Sequence, residues 1–261
     1  MAIYYQNFET FAVGAIPPYG SLTGNANNAT IVADNYLETG SRAAQTANNF
    51  SSLTYSDGSL YTSATLYVAW KHSEANNQTF LQYENGTAGS GFPNILTIVQ
   101  EPDNSISVKV DNNGTFAGNS GDHITNLNIW HWLQVNTTFS AIPIVSGTTT
   151  TTKLGVAVEI GLDGTSILNT GTTTTNRNVS SMNSGTAQFD RIVLLNNSIW
   201  DEFSFDVLQT MNTYPNPGVP AMRATTALIE PLELVDSAAI RASTGLIELL
   251  ISNKNKRVYE M

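Results

Sequence analysis

Apolar and polar residues alternate in short runs along most of this chain, and the runs are separated by clusters of Asn, Gly, Asp and Pro. A period of two belongs to a strand with one buried face, whereas a helix needs a period of 3.6. Between Leu60 and Trp70, the residues Leu60, Thr62, Ala64, Leu66, Val68 and Trp70 share one phase, with Tyr61 and Tyr67 in the other. Thr79 to Tyr83, Ile95 to Gln100, Ser105 to Val110, Trp132 to Phe139, Leu154 to Ile160 and Phe189 to Leu194 follow the same rule. Strand after strand predicts an all-β sandwich or barrel with almost no helix up to about Asp206. Leu66 and Trp132 are expected to be buried as the large members of inward phases.

The turns support antiparallel pairing. Pro102-Asp103-Asn104, Asp111-Asn112-Asn113-Gly114 and Asp163-Gly164 place residues that tolerate positive φ where tight hairpins need them. The threonine tracts Thr148 to Thr152 and Thr172 to Thr175 are β-branched and polar, which suits a solvent-facing edge or a stiff loop.

At 261 residues, 41% hydrophobic and 12% charged, the chain can fill one sizeable core. The formal charge of −10 arises from 21 acidic against 11 basic residues, a balance that disfavours wrapping nucleic acid. With no cysteine, a disulfide framework and thiolate chemistry are excluded. The start lacks the basic and apolar regions of a signal peptide, and no run approaches the roughly 20 apolar residues that cross a bilayer as a helix. The expectation is a protein with neither a nucleic-acid nor a membrane partner.

The composition changes after Asp206. Pro215, Pro217 and Pro220 form a connector that suits neither sheet nor helix. Beyond it, Arg223-Ala-Thr-Thr-Ala-Leu-Ile-Glu-Pro-Leu returns 18 residues later as Arg241-Ala-Ser-Thr-Gly-Leu-Ile-Glu-Leu-Leu, with seven of ten positions identical. The sequence thus divides into a sandwich over 1–210, a Pro-rich linker over 211–222 and a repeat arm over 223–261. An even spacing keeps both copies in one strand phase, although Leu, Ala and Glu also favour helix. Such an arm is too small for its own core. Its apolar residues Leu228, Ile229, Leu232, Leu246, Ile247 and Leu250, with Arg223 and Arg241, are the expected interface to another copy or another protein.

Three stretches resemble the concanavalin A-like, laminin G-like jelly rolls of tailed-bacteriophage structural proteins. Asn7-Phe8-Glu9-Thr10-Phe11-Ala12-Val13-Gly14-Ala15-Ile16-Pro17-Pro18 resembles the opening "D-F-E-x-x-x-x-G-x-x-P-P". Trp130-His131-Trp132-Leu133-Gln134-Val135 is similar to a "W-H-x-x-E-V" strand, which precedes a hairpin with a "V-D-G" turn. Phe189 to Leu194 with Ile199 to Asp206 resembles a closing strand that returns beside the first. The duplicated segment is similar to C-terminal tandem repeats of such proteins. The resemblance implies an antiparallel jelly-roll sandwich resident in a virion, assembled in the host cytoplasm, with other virion proteins and copies of itself as partners.

Catalytic groups are sparse. Glu101 and Asp103 straddle Pro102 in a turn without the third carboxylate that laminarinase-like strands carry. Asp201 and Glu202 are adjacent, so in a regular strand they face opposite ways and cannot share one bond. His72, His123 and His131 form no ligand or nucleophile motif, and no Gly-rich phosphate loop occurs. Asp111, Asn112, Asn113, Asp201 and Asp206 could offer oxygens to calcium, but turns explain them as well, so neither metal nor cofactor is expected. Trp70, Trp130, Trp132 and Trp200 are expected to fill the space between two sheets, although they could instead stack on a sugar.

The leading expectation is therefore a non-enzymatic particle-surface accessory, such as a capsid decoration (cement) protein, head fibre or tail appendage. The alternative is a glycan-binding, lectin-like module for host attachment. Truncation after Gly218 should leave a folded sandwich that no longer assembles. A truncated protein that oligomerises and incorporates normally removes the docking role of the arm.

Overall fold

The computed structural model describes residues 4–211 apart from 16–20, 25–28, 35, 37–41, 47–50, 74–76, 87–93, 112–114 and 184. Sixteen strands run in chain order among the described residues. They are β1 (Tyr4–Gln6), β2 (Gly14–Ala15), β3 (Leu22–Gly24), β4 (Ala29–Val32), β5 (Ala43–Thr46), β6 (Ser52–Tyr55), β7 (Ser63–His72) and β8 (Gln78–Glu84). After these come β9 (Asn94–Gln100), β10 (Ser105–Val110), β11 (Thr115–Ile124), β12 (His131–Ser146), β13 (Thr149–Leu162), β14 (Thr165–Asn178), β15 (Arg191–Leu195) and β16 (Ser198–Asp206). One 3-10 turn, Val179–Ser181, is the helical element among these residues. The linker and the arm, including Arg223, Leu228, Ile229, Leu232, Arg241, Leu246, Ile247 and Leu250, lie outside the described residues.

The strands form two antiparallel sheets. One has nine strands in the order β14-β13-β12-β7-β16-β5-β4-β2, with β1 also on β16; the other has seven in the order β11-β10-β9-β8-β15-β6-β3. The fold is the expected all-β antiparallel jelly-roll sandwich, and the closing strand does return beside the first, with Tyr4 opposite Phe205.

The inner phase of β7 is as the alternation predicts. Ala64, Leu66, Val68 and Trp70 are all buried in the core, at the centre of the nine-stranded sheet. Leu60 departs from that phase and is 46% exposed, because the regular strand begins only at Ser63.

Trp70 lies between rings from both directions: Phe80 of the facing sheet stacks at 4.3 Å and His72 at 4.5 Å. Trp200 and His131 stand opposite Trp70 on β16 and β12. A ladder irregularity beside Thr79 lets the adjacent Phe80 and Leu81 both enter the core. Buried indoles need partners for their N–H: Trp70 donates to Ser198 Oγ at 3.1 Å and Trp200 to Thr46 Oγ1 at 3.0 Å. Towards the other end, Tyr83 and Phe205 meet Phe189 edge-on, at 5.0 and 6.2 Å, and extend the core as a run of aromatic contacts.

Hairpin chemistry follows the sequence. Asn104, Asp111, Asp163 and Gly164 adopt φ of 66°, 58°, 51° and 82°. Both threonine tracts lie in strands, apart from Thr148 in the turn before β13. Thr149 to Thr152 pair with β12 alone and are exposed, in a ribbon that outruns β7 and β14 and leaves Val145 71% exposed. Thr175 is the exception to the solvent-facing expectation, since it is buried.

Replacing Trp70 by Ala removes the contact that bridges the sheets and should destabilise the fold by roughly 3 to 5 kcal/mol. Chemical denaturation checks this, and an unchanged midpoint would place the weight of the core elsewhere.

Candidate functional site

The outer face of the nine-stranded sheet carries the second phase of β7, β12 and β16. An alternating strand usually leaves this phase to water, yet here Thr65, Tyr67, Trp132, Gln134, Asn136, Asp201 and Ser204 are buried. Part of the cover is a strap, residues 207–211, that follows β16 and crosses this face. Gln209 N–H donates to Thr65 Oγ1 at 2.8 Å, Asn136 Nδ2 donates to Gln209 O at 2.9 Å and Gln134 Nε2 to Thr210 O at 3.3 Å. Thr65 Oγ1 in turn donates to Asn136 Oδ1 at 2.7 Å. The strap backbone thus supplies partners to buried polar side chains of these strands that would otherwise lack them. Met211 closes the strap over Gly161, where a Cβ would sit 2.6 Å from its sulfur.

Trp132 is buried, but on this outer face rather than between the sheets, because it shares a phase with Gln134 and Asn136 and opposes that of Leu133 and Val135. It belongs to an aromatic platform. Tyr67 stacks on Trp132 at 6.3 Å, Tyr36 stacks on Trp132 at 5.8 Å, and Trp130 meets Tyr36 edge-on at 5.9 Å. The inner pair, Tyr67 and Trp132, is buried and the outer pair, Tyr36 and Trp130, is half-buried. Lys71 Nζ lies 5.6 Å from the Trp130 ring centroid and 2.7 Å from Asp34 Oδ2. The Trp130 indole N–H has no hydrogen-bond partner among the described residues. Exposed Ile129 precedes it directly in the chain, and exposed Leu127 lies three residues before it. Of the four tryptophans, then, Trp70 and Trp200 fill the core while Trp130 and Trp132 build this surface.

Asp201 and Glu202 depart from the regular-strand expectation. Opposite β7 the ladder slips between Asp201 and Ser204, and Glu202 takes φ of 51°, so one extra residue forms a bulge at the two carboxylates and breaks the regular alternation there. On its other edge β16 passes at this point from β5 to β1. Both acids are buried rather than solvated. Asp201 Oδ2 accepts Tyr36 N–H at 3.1 Å and its Oδ1 accepts Glu202 N–H at 2.8 Å, while the Tyr5 hydroxyl donates to Glu202. Burial pushes the Asp201 carboxyl up to about 7, aided by the charges of Glu202 and Glu9 and opposed by the Tyr36 and Glu202 amides. Asp201 therefore ties the segment bearing Tyr36 to the sheet.

The remaining candidates are engaged in local structure. Asp103 accepts Ser105 N–H at 2.9 Å, and Glu101 accepts the Ser107 hydroxyl and lies 3.7 Å from Lys109. His131 pairs with Asp163 at 2.7 Å, and both His72 ring nitrogens lie near Gln100 Nε2. No group of three or more His, Cys, Asp or Glu that could hold a metal occurs among the described residues.

No family model matches the chain, and no curated protein sequence matches it. Among solved structures it is similar to the carbohydrate-binding module CBM66 from Bacillus subtilis, at 10% identity and a TM-score of 0.38, over 72% of this chain and 96% of that one. The Ca2+/Man-bound exoplasmic/lumenal domain of VIP36 aligns at 14% identity and a TM-score of 0.39, over 78% and 93%. The binding domain of botulinum neurotoxin serotype C1 aligns at 10% identity and a TM-score of 0.46 over 80% of this chain, which spans 48% of the neurotoxin chain.

A carboxyl with a raised folded-state pKa binds its proton more tightly in the fold. Its stabilising contribution is full below the ordinary aspartate range near ~4 and is lost as pH rises to about 7. Asp201→Asn should therefore gain melting temperature relative to the parent as pH rises through that window. A constant difference between the two proteins across these pH values would show that Asp201 titrates normally.

Proposed function

We propose that the sandwich is a non-catalytic glycan-binding module that works through the platform at the end of β12. The supporting observation is Trp130, a half-buried indole whose N–H has no partner among the described residues, braced by Tyr36 at 5.9 Å and flanked by the Lys71–Asp34 pair. A sugar ring presents an apolar C–H face and a rim of hydroxyls. A rigid aromatic surface beside a charged donor and a charged acceptor complements both. Because Trp132, itself stacked on Tyr67, already holds Tyr36, little ordering is left to be lost on binding.

The tandem repeat at Arg223 and Arg241 supports a second reading, a structural component of a virus particle. The two are compatible, since an appendage that displays such a module would carry it to the host surface.

Titration of the full-length chain with a panel of short oligosaccharides should reveal saturable binding. Trp130→Ala should weaken it by about tenfold, the equivalent of ~1.4 kcal/mol, without lowering the melting temperature by more than a few degrees. Binding that is indifferent to Trp130 would remove the platform from this role, and no saturable binding to any member would overturn the reading.

A further inference from the structure

The outer face of the seven-stranded sheet has a different character from the strap-covered face. Across β8, β9 and β10 a groove of about 320 Å³ opens between half-buried polar side chains, within the lower range of small-ligand sites. Gln82, Thr97 and Lys109 stand side by side in register across the three strands, and Thr79 stands opposite Val99 in the next row. Asn77 and Asn94 also line the groove. The side chains of Asn77, Thr79, Gln82, Asn94 and Thr97 make no hydrogen bond among the described residues. On the opposite sheet, the equivalent polar phase is occupied by strap backbone.

The groove carries no excess of positive charge: Lys109 and Asp111 both line it, and Lys109 also lies 3.7 Å from Glu101, so it offers no net attraction to an anion. What it offers instead is three amides and two hydroxyls, each able to donate and accept, around the buried Val99 side chain. Alternating donors and acceptors around a small apolar spot match a neutral pyranose, whose ring hydroxyls do the same and whose C–H face needs little apolar surface.

We propose that this groove is a second carbohydrate site, specific for a short uncharged saccharide and separate from the Trp130 platform. The ligand class rests on the glycan-binding reading above, whereas the location does not. The platform and the groove lie on different sheets, so one chain engages two sugars, and avidity follows when both reach one polymer.

The test is calorimetric titration of the full-length chain with tri- and tetrasaccharides of glucose, galactose, mannose and N-acetylglucosamine. It compares the parent, Trp130→Ala and the double variant Gln82→Ala/Thr97→Ala, with melting curves to establish that each variant is folded. Two binding events per parent chain are expected. Trp130→Ala should remove one, and the double variant should weaken the other by about tenfold, as the loss of two hydrogen-bonding side chains implies. A single event lost in Trp130→Ala and untouched in the double variant overturns the second site and leaves the proposed function standing. A single event lost in the double variant and untouched in Trp130→Ala supports the groove and removes the platform. No saturable binding of any of these sugars overturns both. If the double variant fails to fold, Thr97→Arg, which fills the groove from a half-buried position in its lining, carries the same expectations.

Discussion

The face-to-face contact of Trp70 with Phe80, at 4.3 Å, joins the two sheets, and much of the architecture is arranged around it. A bulky ring in the middle of the nine-stranded sheet fixes which phase of β7 points inward, and a period of two then decides every other residue of that strand. Register passes this choice sideways: Trp200 and His131 must face in because they stand opposite Trp70. The polar ends of the two indoles are met by Ser198 and Thr46 on neighbouring strands. Burying so much aromatic area therefore leaves no indole donor of this pair without a partner.

This inner half of the molecule was legible in the sequence. The phase Ala64, Leu66, Val68, Trp70 and the turn at Asp163-Gly164 are local signals, and local signals are what alternation and turn chemistry report. The outer half was not. Thr65, Gln134 and Asn136 look like ordinary solvent-facing positions, and their burial depends on a strap that meets Thr65 from 144 residues away. No window of sequence contains both partners. Trp132 was rightly read as buried but assigned to the wrong face, since size alone suggests an inward ring, and only the neighbouring Leu133 and Val135 disclose the phase. Asp201 and Glu202 were misread for a third reason: one extra residue in a strand changes sidedness without altering the pattern of apolar residues around it.

The two outer faces show how one kind of surface takes on different tasks. Polar side chains projecting from a sheet have hydrogen-bonding capacity to satisfy, and on the nine-stranded sheet the chain satisfies it with its own backbone. On the seven-stranded sheet the amides and hydroxyls between β8 and β10 keep that capacity open. The aromatic platform lies between these extremes, with Tyr67 and Trp132 sealed by packing and the half-buried Trp130 indole N–H without a hydrogen bond among the described residues.

The strap also governs how the sandwich carries mechanical load. Tension applied to the chain beyond Met211 would, without the strap, act directly on the end of β16 at Asp206 and peel it from β7 one ladder bond at a time. Because residues 207–211 are fastened to Thr65, Asn136 and Gln134 on two other strands, these bonds must part before β16 feels the pull. The segment acts as a strain relief, as a clamp does on a cable, and spreads a force delivered from the C-terminal side across the middle of the sheet.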